Sequence, residues 1–193
     1  MKADASTDHD RIVEAADRLF YRHGIQAVGM DAVRTESGVP LKRLYAAFPS
    51  KDALLLEVLR HRRATWDAGL AAAASTATSA RERLLAVYDF LGGWFRTDDF
   101  RGCGFINAFG ELGAVSPAVA AIARQQKDDF RSYVSRLVEE LGAPPLLAAQ
   151  LALLAEGAQT TAAISGRPDA AADARAAAET LIDAALASPS SRH

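Results

Sequence analysis

From Arg11 onward the apolar residues Ile12, Ala15, Ala16, Leu19 and Phe20 return at three- and four-residue spacing, which paints one face of a helix. Gly24, directly after His23, is a good stop because glycine accepts the left-handed conformation of a helix end. The first helix is therefore predicted over about 9–23. A short second helix is predicted from Met30 to about Ser37, and Gly38-Val39-Pro40 interrupts it, since the residue before a proline is pushed out of the helical region. Pro40 suits the first turn of the next helix, where its missing N–H would be unpaired anyway. That third helix is predicted over about 41–47 and is closed by Phe48-Pro49, after which Ser50 is a good N-cap for a fourth helix from Lys51 to about Ala74.

A small polar run at 74–79 separates these from five further helices predicted at about 80–97, 104–113, 117–141, 146–165 and 169–187. The breaks between them carry Gly102, then Gly142 with Pro144-Pro145, then Gly166-Arg167-Pro168. Ala, Leu, Arg and Glu dominate while strand-forming runs are hard to find, so the expected class is all-α with about nine helices. The length of 193 residues allows a small N-terminal domain at 9–50 and a larger helical one at 51–187, with flexible tails at 1–8 and 188–193.

Charge changes this picture only locally. The net charge is −2, yet residues 11–63 carry ten Lys/Arg against six Asp/Glu, an excess that fits a polyanionic partner as well as an ordinary solvated surface. One cysteine excludes an internal disulfide framework and a Cys-rich zinc site. The longest apolar stretches are Ala-rich and broken by charges, and the acidic start MKADASTDHD has no apolar signal core, so a cytoplasmic location is expected. Four scattered histidines (9, 23, 61 and 193), no glycine-rich phosphate loop and no metal-ligand cluster leave nothing to carry catalysis. Neither an enzyme nor a bound metal or cofactor is expected.

Two short helices joined by a Gly-containing turn describe a helix-turn-helix, whose second helix enters the major groove of DNA. Val33, Val39, Leu44 and Phe48 are the apolar positions that would hold the pair against the first helix. The segments RIVEAADRLFYRHGIQAVGMDAV, SGV and LYAAFPSKDALLLEVL together resemble the DNA-binding domain of the TetR family of bacterial transcriptional regulators, over about residues 10–60. This resemblance implies a homodimer on a palindromic operator, with a C-terminal domain that binds a small molecule and releases the DNA. Carried over by position, it puts Lys42 and Arg43 at the exposed start of the recognition helix, Tyr45 on a phosphate through its hydroxyl, and Lys51 on the DNA backbone. Gly29 and Pro40 stand where the family usually has a hydroxyl cap. Arg34 replaces a small residue, so its stem must snorkel outward and end either on DNA or in a salt bridge to Glu36 or a neighbour.

The same resemblance places the dimer interface on the last two long helices, where Leu147, Leu151 and Leu154 form a stripe and 170–187 is Ala-rich, although such helices also pack well in an ordinary core. Aromatic residues concentrate between the head and those helices. Phe90, Trp94, Phe109, Phe130 and Tyr133, with Asn107 and Glu111 at i and i+4 and Cys103 before them, are the candidate ligand-binding residues, because a small-molecule site needs a mostly apolar cavity with a few polar anchors. Cys103 lies in RGCGFINAFGEL, which is similar to a subgroup of the family with Gly-Cys before the sixth helix. A thiol near a helix start with Arg101 close by suggests an alternative in which the regulator senses electrophiles or oxidants through Cys103.

Overall fold

The computed structural model describes residues 2–187 of the chain. The described residues form helices joined by turns: α1 Lys2–His23, α2 Met30–Ser37, α3 Leu41–Ala47, α4 Lys51–Ala73, α5 Ala80–Phe95, α6 Gly104–Leu112, α7 Pro117–Glu140, α8 Leu146–Ser165 and α9 Ala170–Ala187. The all-α expectation holds, and each predicted helix is present. One boundary moves: α1 begins at Lys2 rather than near residue 9, so most of the expected N-terminal tail is helical. The expected C-terminal tail, 188–193, lies outside the described residues.

Local chemistry sets the breaks. Ser50 caps α4 by accepting from the Ala53 N–H at 3.1 Å. At α5 a reciprocal capping box forms, with Ser79 Oγ accepting from the Glu82 N–H and the Glu82 carboxylate accepting from the Ser79 N–H. Hydrogen bonds from Thr78 and then Ser79 hold that exposed carboxyl below its usual range.

The chain packs as two compact units. The first comprises residues up to Thr65 together with Gly104–Arg124, and the second comprises Trp66–Cys103 together with residues from Gln125 onward. This division does not follow the boundary expected at 50/51, because the first part of α4 and the whole of α6 pack with the head.

In the first unit α1, α2 and α3 pack on one another. Ile12, Ala15, Ala16 and Phe20 of α1 are buried as their spacing predicts, along with Val33, Val39, Leu44 and Phe48 from the helix-turn-helix and Leu54, Leu55, Val58 and Leu59 from α4.

In the second unit α5, α8 and α9 pack on one another through small residues, with Ala155 and Ala178 fully buried. Tyr88 donates its hydroxyl to the Leu151 carbonyl at 2.8 Å, and burial pushes its phenol above the usual range. Of the expected interface stripe on α8, Leu147 and Leu151 face inward, at 2% and 1% exposure, and belong to the core, whereas Leu154 is partly buried and lines a groove between α8 and α9. The exposed apolar residues of α8 are instead Leu146, Leu153 and Ile164, at 68%, 70% and 83% exposure. Among the described residues no helix is long and apolar enough to cross a membrane.

Candidate nucleic-acid interface

The turn between α2 and α3 is shaped by Ser37, Gly38 and Pro40. Gly38 sits at φ 65°, in the left-handed region that favours glycine, and Arg11 Nη2 lies 2.9 Å from where a Cβ would stand. That guanidinium donates to the Ser37 carbonyl at 2.7 Å and ties the turn to α1. Pro40, at φ −57°, is the residue just before α3 rather than part of its first turn. Its carbonyl accepts from the N–H groups of Arg43 and Leu44 at 2.9 and 3.0 Å, so the proline starts the helix without a side-chain cap. Gly29 likewise begins α2 with no side-chain cap.

Leu44 anchors α3, being fully buried, while Lys42, Arg43 and Tyr45 are exposed. Phe48 ends the helix in extended conformation, its ring 4.9 Å from that of His9 on α1. The short helix is therefore fixed by one face and presents two cations and a phenol on the other. Lys51, at the start of α4, has its ammonium 5.9 Å from the centre of the Phe20 ring. Arg34 pairs with a neighbour, Asp31, at 3.3 Å, whereas Glu36 pairs with Arg18 at 3.2 Å.

One participant was not foreseen. Asp8, in the segment expected to be tail, is a buried carboxylate lying 3.0 Å from Arg43 Nε and 3.9 Å from Arg11 Nη1. The spacing of Asp8 and Arg11 by three residues was the available hint that α1 starts earlier.

The expected ligand residues separate into two groups. Phe90, Trp94, Cys103, Phe130 and Tyr133 lie in the second unit, whereas Asn107, Phe109 and Glu111 lie on α6 in the first. Glu111 is committed to the turn after α1: its carboxylate oxygens accept from the N–H groups of Ile25 and Gln26, both at 3.0 Å, and Gln26 Nε2 donates back to the Glu111 carbonyl at 3.2 Å. The hollow beside Asn107 and Glu111 is about 20 Å³, room for a water and not for an organic molecule. Phe109 is 47% exposed. Close by, Arg62 of α4 stacks on Tyr21 at 3.8 Å and pairs with Asp17, whose carboxyl burial pushes up while Arg62 opposes the shift.

In the second unit Trp66 receives Phe90, Trp94 and Phe130 edge-on at centroid distances of 5.1, 5.8 and 5.8 Å. Tyr133 packs against the same core, and burial raises its phenol. Cys103 is buried, with Lys127 Nζ 3.8 Å from its sulfur and Glu156 3.6 Å from the same ammonium. Two buried amides complete the inventory: Gln126 and Gln159 are 5% and 2% exposed, and their side-chain carbonyl oxygens have no hydrogen-bond partner among the described residues. The sequence signal for both was a polar residue interrupting an apolar face, one turn before Phe130 and one turn after Ala155.

Comparison with known proteins places this geometry among relatives. Residues 12–58 match the family model of the bacterial regulatory proteins of the tetR family. A putative TetR transcriptional regulator from Streptomyces avermitilis is 33% identical, with a TM-score of 0.79 over 93% of this chain and 98% of its own. A TetR-family transcriptional regulator from Streptomyces coelicolor is 26% identical with a TM-score of 0.86, covering 93% of this chain and 96% of its own. The reduced form of NemR from E. coli shares the fold at 20% identity, with a TM-score of 0.80 over 90% of this chain and 95% of its own. No curated protein sequence matches.

Proposed function

Since the chain belongs to the TetR family of bacterial transcriptional regulators, we propose that it is a ligand-responsive repressor that binds a palindromic operator as a homodimer and leaves it when a small molecule occupies the second unit. The observation that carries this reading is the two-sided character of α3, with Leu44 buried on one side and Lys42, Arg43 and Tyr45 exposed on the other. Arg43 is assigned to a guanine edge, where a bidentate contact discriminates by about 1–3 kcal/mol. Lys42, Tyr45 and Lys51 are assigned to phosphates, which position the helix without specifying sequence. Arg34 is paired with Asp31 and makes at most a secondary DNA contact.

One α3 spans only a few base pairs, so a two-fold site needs two copies. The exposed Leu146, Leu153 and Ile164 of α8, with a groove lined by Leu153, Leu154 and Thr161 of α8 and Ala174, Ala177 and Leu181 of α9, support a dimer through these two helices. The effector site is assigned to the aromatic group Trp66, Phe90, Trp94, Phe130 and Tyr133, with the buried carbonyls of Gln126 and Gln159 as polar anchors. An occupant with N–H or O–H donors satisfies them, and it releases DNA by favouring a state in which the two heads are wrongly spaced.

The test is selection of bound duplexes from a randomised pool by the purified protein. A two-fold symmetric motif is expected, together with a changed base preference for Arg43→Ala. Salt-sensitive binding with no sequence preference would sink the reading. A second reading, thiol sensing through Cys103, is favoured by the Lys127 ammonium 3.8 Å from the sulfur. Retained induction in Cys103→Ser removes it.

A further inference from the structure

We propose that Asp8 is a positioning residue for Arg43 and thereby determines how sharply α3 discriminates between bases. The inference rests on the reading of α3 as the recognition helix. A carboxylate removed from water is tolerated only with charged or hydrogen-bonding partners. The Asp8 side chain is 8% exposed, and the cations beside it come from two elements, Arg43 of α3 at 3.0 Å and Arg11 of α1 at 3.9 Å. Arg11 is itself anchored on the Ser37 carbonyl in the turn that precedes α3. Drawing Arg43 away would leave the buried carboxylate with the longer contact, so the pair resists separation.

Two consequences follow for DNA. First, an arginine side chain has many rotamers, and the Asp8 contact at Nε restricts them before DNA arrives, while the Arg43 side chain remains 47% exposed. A base-reading guanidinium held in advance loses less entropy on binding its correct base and adapts less readily to a wrong one. Second, the Asp8 charge stands next to a surface that faces polyanionic phosphate, so it opposes sequence-independent attraction. Both effects raise the ratio of specific to non-specific binding, and neither is supplied by Arg43 itself.

The test is a double-mutant cycle on base preference, with the full-length protein, Asp8→Asn, Arg43→Ala and the double variant each run on a randomised duplex pool and on single-base variants of the selected site. Arg43→Ala identifies the base pair that Arg43 reads. At that base pair Asp8→Asn is expected to reduce discrimination about tenfold, within the range of one bidentate contact, while affinity for random duplex is unchanged or higher. In the Arg43→Ala background Asp8→Asn should add nothing at that position. Asp8→Ser provides a second variant should the amide disturb folding, with a thermal melt as the folding control.

Unchanged discrimination in Asp8→Asn, an equal loss at every position, or additive losses in the double variant would each overturn the proposal. If Arg43→Ala leaves every position unchanged, base reading by Arg43 is what failed, and the role of Asp8 falls with it.

Discussion

In the first unit the groups assigned to DNA stand on the outside of a short helix: Lys42, Arg43 and Tyr45 are exposed, and their placement follows from one buried leucine and a proline-started turn. In the second unit the groups assigned to a ligand lie inside, where Phe90, Trp94 and Phe130 meet Trp66 edge to face and two glutamine carbonyls are buried without hydrogen-bond partners among the described residues. The contrast is one of physical constraint. A DNA-reading surface must match a partner of fixed geometry, so its cations sit at fixed offsets from the residues that anchor the helix. An internal site must match a molecule of unspecified shape, and packing rather than spacing determines which side chains line it.

The strongest test of this contrast is a matched pair of core truncations. Leu44→Ala and Leu151→Ala each empty a fully packed position and should each cost about 2–5 kcal/mol of stability by thermal or denaturant unfolding. Leu44→Ala should also abolish sequence-specific DNA binding by the folded fraction, because α3 loses its anchor. Leu151→Ala should leave base preference intact, and a shared loss of specificity would break the comparison.

Next in size is Leu153→Glu. This residue is 70% exposed, so protomer stability should change by less than about 0.5 kcal/mol. Sedimentation should nevertheless show a monomer, and operator affinity should fall about a hundredfold as the second head is no longer tethered. A Leu153→Glu dimer would place the interface elsewhere. Lys51→Ala should act more mildly, weakening all duplexes alike and lowering the salt slope of binding by about 1. A selective loss at one base pair would reassign Lys51 to base reading.

The smallest effect expected is that of Pro40→Ser. It supplies a capping hydroxyl worth about 1 kcal/mol and should leave operator preference unchanged in competition binding. Weaker binding would mean that the proline contributes more than a helix start.

What could be read from sequence was what is encoded locally. Gly38, Pro40, Phe48-Pro49 and Ser50 act through their own backbone or their nearest neighbours, and the boundaries of α2, α3 and α4 accordingly fall where expected. Val33, Val39, Leu44 and Phe48 are buried for the same reason, since their spacing leaves one face to pack.

The α8 stripe was misassigned because this helix is apolar almost all round, so periodicity offers Leu147-Leu151-Leu154 and Leu146-Leu153 as rival faces. The start of α1 lies earlier than expected because Ser6, Thr7 and Asp8 are residue types that favour an N-cap over a helix interior, and Asp8 went with it. Arg34 takes a partner from its own helix, Asp31 three residues earlier, whereas Glu36 is taken by Arg18 of α1 only once the helices pack. Gln126 and Gln159 were legible only as interruptions, since burial without a partner is a property of the assembled core.

The Glu111 clamp has a practical consequence for anyone building hybrid regulators. The two amides it satisfies belong to Ile25 and Gln26, so the turn between the first two helices depends on a side chain 86 and 85 positions downstream. A graft cut after the fourth helix would transplant the reading head but strand those donors. A working transplant has to carry α6 with it, or supply from the recipient scaffold a carboxylate at the equivalent place; the transferable cassette is discontinuous in the gene.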